Sequence, residues 1–209
     1  MIFISFILSY LTASAITFYI DLEYPELREV NPNKKPDPDY IGGLTMEYSK
    51  LLRVGIYNCM VSMPFFWHYE YLTRDQNNDN YFIYNFLGWL IITDIIFYTT
   101  HRILHLPRFY KYHSLHHSYK YTFGPSAIYA SPEEFFFGNL GPSIISFQIL
   151  QLSHLEMTFI IIFQTFYTVI ISHGGYKFIK TGHLQHHINN RTPYGLFISD
   201  RVINLLIHN

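Results

Sequence analysis

The chain is poor in charge and almost without cysteine. Charged residues make up 14% of its 209 positions, well below the quarter typical of soluble domains. Cys59 stands alone, so no disulfide can close within the chain and a thiolate metal site has no second sulfur. It lies in an apolar run and reads as a small buried hydrophobe. A formal net charge of −1 supplies no field for nucleic acid, and that class of partner is excluded. No Gly-rich dinucleotide fingerprint, haem-attachment pair or His-Glu-x-x-His motif occurs. A zinc hydrolase of the last kind therefore lacks its general base, and any redox chemistry must draw electrons from outside.

Apolar sequence is plentiful, at 49% hydrophobic residues. Apolar stretches cover about 2–20, 51–67, 82–100, 135–152 and 155–172, each near the ~20 residues a helix needs to span a bilayer. The 51–67 stretch is the weakest, carrying Arg53, Asn58 and Pro64. Met1–Ile20 lacks the basic start of a secretory signal and reads as a retained span. The expected fold is all-α: a polytopic membrane bundle of about four to five transmembrane helices. We expect one membrane domain over 1–209, with N-terminal helices and loops to residue 80 and a histidine-rich core over 81–209.

Charge placement supports that topology. With all five stretches spanning, residues 21–50, 101–134 and 173–209 share one side. Of the 14 Lys and Arg residues, Arg74 alone falls on the other side with the 68–81 loop, and Arg53 can snorkel to the first. The asymmetry obeys the positive-inside rule. His68 and His154 belong to the far side, and the Asp75–Asn80 run is a solvated loop there.

Three histidine clusters lie on the positive side: His101-x-x-x-His105, His113-x-x-His116-His117 and His183-x-x-His186-His187. They hold eight of the chain's twelve histidines. Imidazole is the commonest metal-binding side chain, and residues three and four apart share a helix face. Eight ligands exceed the four of a single structural zinc, so two ions side by side are expected. His173, ten residues before the third cluster, joins the candidate ligands. Asp94, Tyr98, His101 and His105 follow one i, i+4, i+7, i+11 stripe. Asp94 and Tyr98 are therefore expected beside the ligands, Asp94 accepting from a ligand imidazole's other N–H. Pro107 ends that helix, and Arg108–His117 reads as a helix lying along the membrane surface. Glu133 and Glu134 precede an apolar helix, where carboxylates favour its positive end. The clusters and the excursion between them suggest one half-site, a passage out and back through the bilayer, then a second half-site.

With their flanks, these clusters resemble the histidine boxes of the membrane-bound fatty acid hydroxylase and sterol desaturase superfamily. Asp94-Ile-Ile-Phe97-Tyr98-Thr-Thr-His101-Arg102-Ile-Leu-His105 is similar to the first box. Phe109-Tyr110-Lys111-Tyr112-His113-Ser-Leu-His116-His117 is similar to the second, and His173-Gly-Gly-Tyr176 with His183-Leu-Gln-His186-His187 to the C-terminal ones. The segment Thr122-Phe123-Gly124 through Ala130-Ser131-Pro132-Glu133-Glu134 resembles the C4-methyl sterol oxidase branch most. Ser131 stands where that branch usually has histidine.

The resemblance implies two iron ions, with zinc as a substitute in purified protein, and O2 as co-substrate. It implies a lipid substrate in the bilayer, sterol-like first and fatty-acyl second, and a cytochrome b5 or reductase type electron donor. A structural subunit of a larger membrane complex, built from an oxygenase bundle with altered catalysis, is the alternative. The endoplasmic reticulum is the expected membrane and the mitochondrial inner membrane the alternative.

Overall fold

The computed structural model describes residues 1–29, 38–73, 81–190 and 194–197; the 75–80 loop, Arg74 and His208 lie outside them. The long helices are α1 (Ile2–Glu23), α2 (Tyr40–Thr73) and α3 (Phe82–Leu104). Then come α4 (Tyr110–His113), α5 (Pro132–Glu134), α6 (Gly141–Leu150), α7 (His154–Phe166) and α8 (Gly182–Asn189). A π-turn, Phe135–Leu140, joins α5 to α6, and a second, Tyr167–Ser172, extends α7. The fold is an all-helical membrane bundle. α1 packs against α2 and α7, and α3 against α6.

Among the described residues, three helices are long and apolar enough to cross a membrane: Ile2–Glu23, Phe82–Leu104 and His154–Ser172. The other two expected stretches lie within helical segments of different build. The 51–67 stretch sits inside α2, interrupted by Pro64, and 135–152 begins in a π-turn and ends at Gln151 in a left-handed conformation (φ 50°). α3 shows how one sequence serves two solvents. Ile83, Leu87, Ile91 and Ile95, four apart, form an exposed apolar face, while Trp89, Thr93, Asp94, Phe97 and His101 are buried. Such a face suits lipid, where the helix satisfies its own backbone.

The two ends of the bundle differ in chemistry. At one end the Met1 ammonium meets Glu70 at 2.6 Å, and the His154 Nε2–H donates to the Glu70 carbonyl at 2.9 Å. Ser153 and Glu156 form a reciprocal cap on α7, and Asn85 donates to Glu156 at 2.6 Å. Residues 1, 70 and 154 thus share an end, as the charge asymmetry requires. At the opposite end Arg28, buried at 4% exposure, donates to Asp21 (2.6 Å) and to the Thr122 carbonyl (2.6 Å). The Tyr48 hydroxyl donates to the same carboxylate at 2.7 Å, and the guanidinium lies 3.9 Å from the Phe123 ring centroid. This junction ties α1 and α2 to the loops that carry histidines. Gly175 (φ 72°) is required there, because a Cβ would lie 2.5 Å from the Thr122 carbonyl oxygen.

Residues Gly124–Ala130 are buried without forming an α-helix. Buried carbonyls that no α-helix pairs need partners from the rest of the protein. Asn58 supplies them, its amide donating to the carbonyls of Ile128 and Ala130 at 3.0 Å each, and the Tyr10 hydroxyl donates to the Pro125 carbonyl at 3.2 Å. The polar residue that weakened the 51–67 stretch therefore anchors this segment.

Candidate metal centre

All nine candidate histidines converge at the end of the bundle that carries Arg28. They form two groups whose candidate donor atoms lie within 4.8 Å of one another: His101, His105, His113, His117 and His186 in one, His116, His173, His183 and His187 in the other. The groups cut across the sequence clusters. His116 and His117 part company, as do His186 and His187, because adjacent residues on a helical turn point about 100° apart. His183 and His187, four apart on α8, share a face and a group. The expectation of one half-site before the excursion and one after it is therefore corrected at two positions: His116 joins the later histidines and His186 the earlier ones, so the second and third clusters each feed both groups.

Local structure explains the aim of each ring. His101 lies on the last turn of α3 and His105 caps it. The second cluster is not one surface helix, as expected, but two short turns, α4 and the 3-10 turn His116–Ser118. Pro107 precedes both, and their brevity lets three rings turn inward from five residues, His113 to His117. His173 follows the π-turn on α7, and α8, capped by Thr181, carries the third cluster.

Hydrogen bonds set the tautomers. His101, His173 and His187 each donate from Nδ1 to a backbone carbonyl: Tyr194 (2.8 Å), Thr168 (2.9 Å) and Tyr119 (3.2 Å). A carbonyl only accepts, so Nδ1 holds the proton and Nε2 presents a lone pair. His113 Nδ1 lies 2.6 Å from Glu134 Oε1, with both side chains at most 3% exposed. Inside the cage the Nε2 atoms face one another: His113–His105 at 3.1 Å, His186–His105 at 2.8 Å, His186–His117 at 3.1 Å and His183–His173 at 3.2 Å. The Nε2 atoms of His101 and His187 are buried without a hydrogen-bond partner.

Lone pairs gathered at this spacing repel unless a cation lies between them. An imidazole nitrogen sits about 2.0–2.1 Å from a bound zinc, so ligands across one ion are about 4 Å apart. Both groups match that span, and the residues fit two metal ions. Burial also keeps the rings in the ligand form. It pushes His105 and His173 down to about 4 and His117 down to about 2, the last also through neighbouring imidazoles. His113, His116, His183 and His187 are pushed down for the same reasons. Burial raises the Glu134 carboxyl well above its usual range.

The two residues expected beside the ligands take other places. Asp94 Oδ1 accepts from the backbone N–H groups of Leu196 and Phe197, at 2.9 Å each. The acceptor for His101 is the Tyr194 carbonyl, so Asp94 fastens the turn that carries that carbonyl. Tyr98 accepts from Arg102 at 3.4 Å and packs edge-on against Tyr194; it flanks the same turn. Sequence reasoning placed Glu134 at a helix end and missed its imidazole. The signal was Ser131-Pro132-Glu133-Glu134: the Ser131 hydroxyl accepts from the Glu134 N–H at 3.2 Å, which fixes the helix start and turns Glu134 inward. His154 lies at the far end, away from both groups.

A family model described as Fatty acid hydroxylase matches residues 86–204, more than half of the chain and every one of the nine histidines. Fatty acid hydroxylase ahd1 of Mycosarcoma maydis is 34% identical over 51% of this chain and 29% of its own length. Fatty acid hydroxylase domain-containing protein 2 of Macaca fascicularis is 28% identical over 80% of this chain and 52% of its own. Methylsterol monooxygenase 2-1 of Arabidopsis thaliana is 31% identical over 61% of this chain and 50% of its own. The chain thus spans about half the length of these relatives, or less. No solved structure matches it.

Proposed function

Since the chain belongs to the fatty acid hydroxylase family, we propose that it is a membrane-bound di-iron oxygenase acting on a C–H bond of a lipid. A sterol-like substrate with a C4 methyl group ranks first and a fatty-acyl chain second. One observation carries the reading: nine imidazoles, eight of them buried and His105 partly so, in two groups, each of a size to hold one ion, at one end of a membrane bundle. Iron bound there would supply O2 reduction and an oxidant able to take hydrogen from an unactivated C–H bond.

The chain's own residues do the rest. The carbonyls of Tyr194, Thr168 and Tyr119 hold three imidazoles in one tautomer and orientation, the usual role of such outer partners. Glu134 does the same for His113 with a carboxyl group. Burial keeps water from the cage, and a narrow cavity reaches both groups. His101 and His113 of one and His116 and His183 of the other line it, with Phe97 and Leu104. A lipid C–H bond entering that cavity meets both groups at once. The reading places the imidazole end in the cytosol, on the endoplasmic reticulum, where a cytochrome b5 or reductase type partner delivers electrons.

Metal analysis of protein purified from its own membrane tests this. About two irons per chain, with lipid-dependent O2 uptake, is the expected result. A protein free of metal, or holding zinc alone, and bound to other subunits would overturn it in favour of a structural role.

A further inference from the structure

Two cavities meet at Asn139. The first, the narrower, lies over the imidazoles. The second lies between α1, the Gly124–Ile128 segment, α6 and α7. Asn139 borders both, placed there by the π-turn Phe135–Leu140. The second cavity is lined by apolar side chains such as Phe6, Phe135 and Ile161, and among the described residues no charged group lines it. Its polar contributions are neutral. Gln164 accepts from the Ser143 hydroxyl at 2.6 Å, and Asn139 makes no hydrogen bond among the described residues. Asn139 is half-buried, and a carboxamide on the wall of an apolar cavity gains from a polar partner there.

The geometry points to a role for Asn139 in selecting substrate: it hydrogen-bonds a hydroxyl or carbonyl oxygen of an uncharged lipid whose reacting C–H bond lies a few bonds from that oxygen. This rests on the oxygenase reading and narrows it. The oxygen must sit near the reacting carbon, because the residue that holds it also borders the cavity over the imidazoles. Free fatty acids and phospholipid headgroups are disfavoured, since the second cavity offers no cation for a carboxylate or phosphate. A hydrocarbon of the same shape would leave the carboxamide unpaired and bind more weakly.

Equilibrium binding to the purified full chain in lipid nanodiscs tests this. The probes are tritiated 4,4-dimethyl-3-hydroxysterol and tritiated hexadecan-1-ol. The competitors are the matching 3-deoxysterol, hexadecane and palmitate. At least one alcohol should bind, with its matched hydrocarbon about tenfold weaker and palmitate not competing. Asn139→Leu should erase that preference by weakening the alcohol while leaving the hydrocarbon unchanged; Asn139→Ser, which keeps a hydrogen-bonding group, should retain part of it. Metal content reports the fold of each variant, and where the leucine variant does not fold, the wild-type preference and the serine variant decide. Binding of neither alcohol, equal binding of alcohol and hydrocarbon, competition by palmitate, or a preference that survives Asn139→Leu overturns the inference. Iron content and O2 uptake are read on the same preparation. Their absence sinks the oxygenase reading, whereas a lost alcohol preference in an iron-loaded, O2-consuming protein sinks only the role of Asn139.

Discussion

Glu134→Gln perturbs the centre at a buried contact whose consequence can be worked out. Glu134 Oε1 lies 2.6 Å from His113 Nδ1 with both side chains almost wholly buried. Burial raises the carboxyl and lowers the imidazole, so without metal the pair is a neutral acid beside a neutral ring. A cation at His113 Nε2 needs that nitrogen free of its proton. The remaining ring proton then sits on Nδ1 and donates to a carboxylate, so binding one ion expels one proton from the pair. Affinity at this group should rise about tenfold per pH unit while the acid stays protonated in the metal-free protein. Glutamine keeps a carbonyl acceptor but has no proton to give and no charge to strengthen the ligand. Loss of such an outer partner costs about 10–100-fold in affinity, or about 1.4–2.8 kcal/mol.

The assay is chelator competition at pH 6, 7 and 8, with iron counted per chain. Wild type should release the ion of the five-histidine group more readily at pH 6. Glu134→Gln should lose that ion at lower chelator concentration and show a flatter pH dependence, keeping the ion of the four-histidine group. Unchanged affinity and slope would refute the reasoning, as would equal loss from both groups.

Arg28→Met strands the buried Asp21 carboxylate and should cost about 3–5 kcal/mol, read as thermal unfolding in detergent; adding Asp21→Asn should recover part of it, and no recovery would show that the ion pair is not the cause. Ser131→Ala removes a cap and should cost about 1 kcal/mol while metal content stays at the wild-type level. A lost ion there would mean that Ser131 touches the centre. In metal-free protein, burial holds His173 at about 4 against an ordinary 6.5, so the unfolded chain binds its proton first as pH falls. Stability should therefore be full above pH 6.5 and decline towards pH 4, by on the order of 3 kcal/mol for this residue; a melting temperature flat from pH 7.5 to 5 would contradict it.

Spacing made the histidines legible, because metal ligands must be particular residue types. Apolar length and the placement of Lys and Arg likewise made the bundle and its polarity legible. The acceptors behind the rings were not, since Tyr194, Thr168 and Tyr119 act through backbone carbonyls that every residue owns. Asp94 misled for a related reason. Helical spacing put it on the same stripe as His101, but a carboxylate takes whichever donors arrive, and residues 194–197 bring two backbone N–H groups to it from a hundred positions away. Asn58 read as a flaw in an apolar run until the buried segment 124–130 supplied the carbonyls it serves. In each case the partner is remote in sequence and carries no side-chain signature.

The crossing of clusters and groups has a consequence that spacing alone would not suggest. Were the first two clusters one half-site and the third the other, deleting histidines from either of the first two would cost the same ion. In this structure His101 and His105 serve only the five-histidine group, whereas His116 and His117 serve different groups. His101→Ala with His105→Ala leaves three ligands in the first group and four in the second, so one ion should go and one remain. His116→Ala with His117→Ala leaves four and three, so here the ion of the four-histidine group should go and that of the five-histidine group remain. Each variant should therefore lose about one iron per chain under mild chelation but keep a different ion. Chelator competition at pH 6 and 8 separates them: the ion left by His116→Ala with His117→Ala sits at His113 and should carry the pH dependence set by Glu134, whereas the ion left by the other variant should not. The same pH dependence in both would refute the interleaved arrangement.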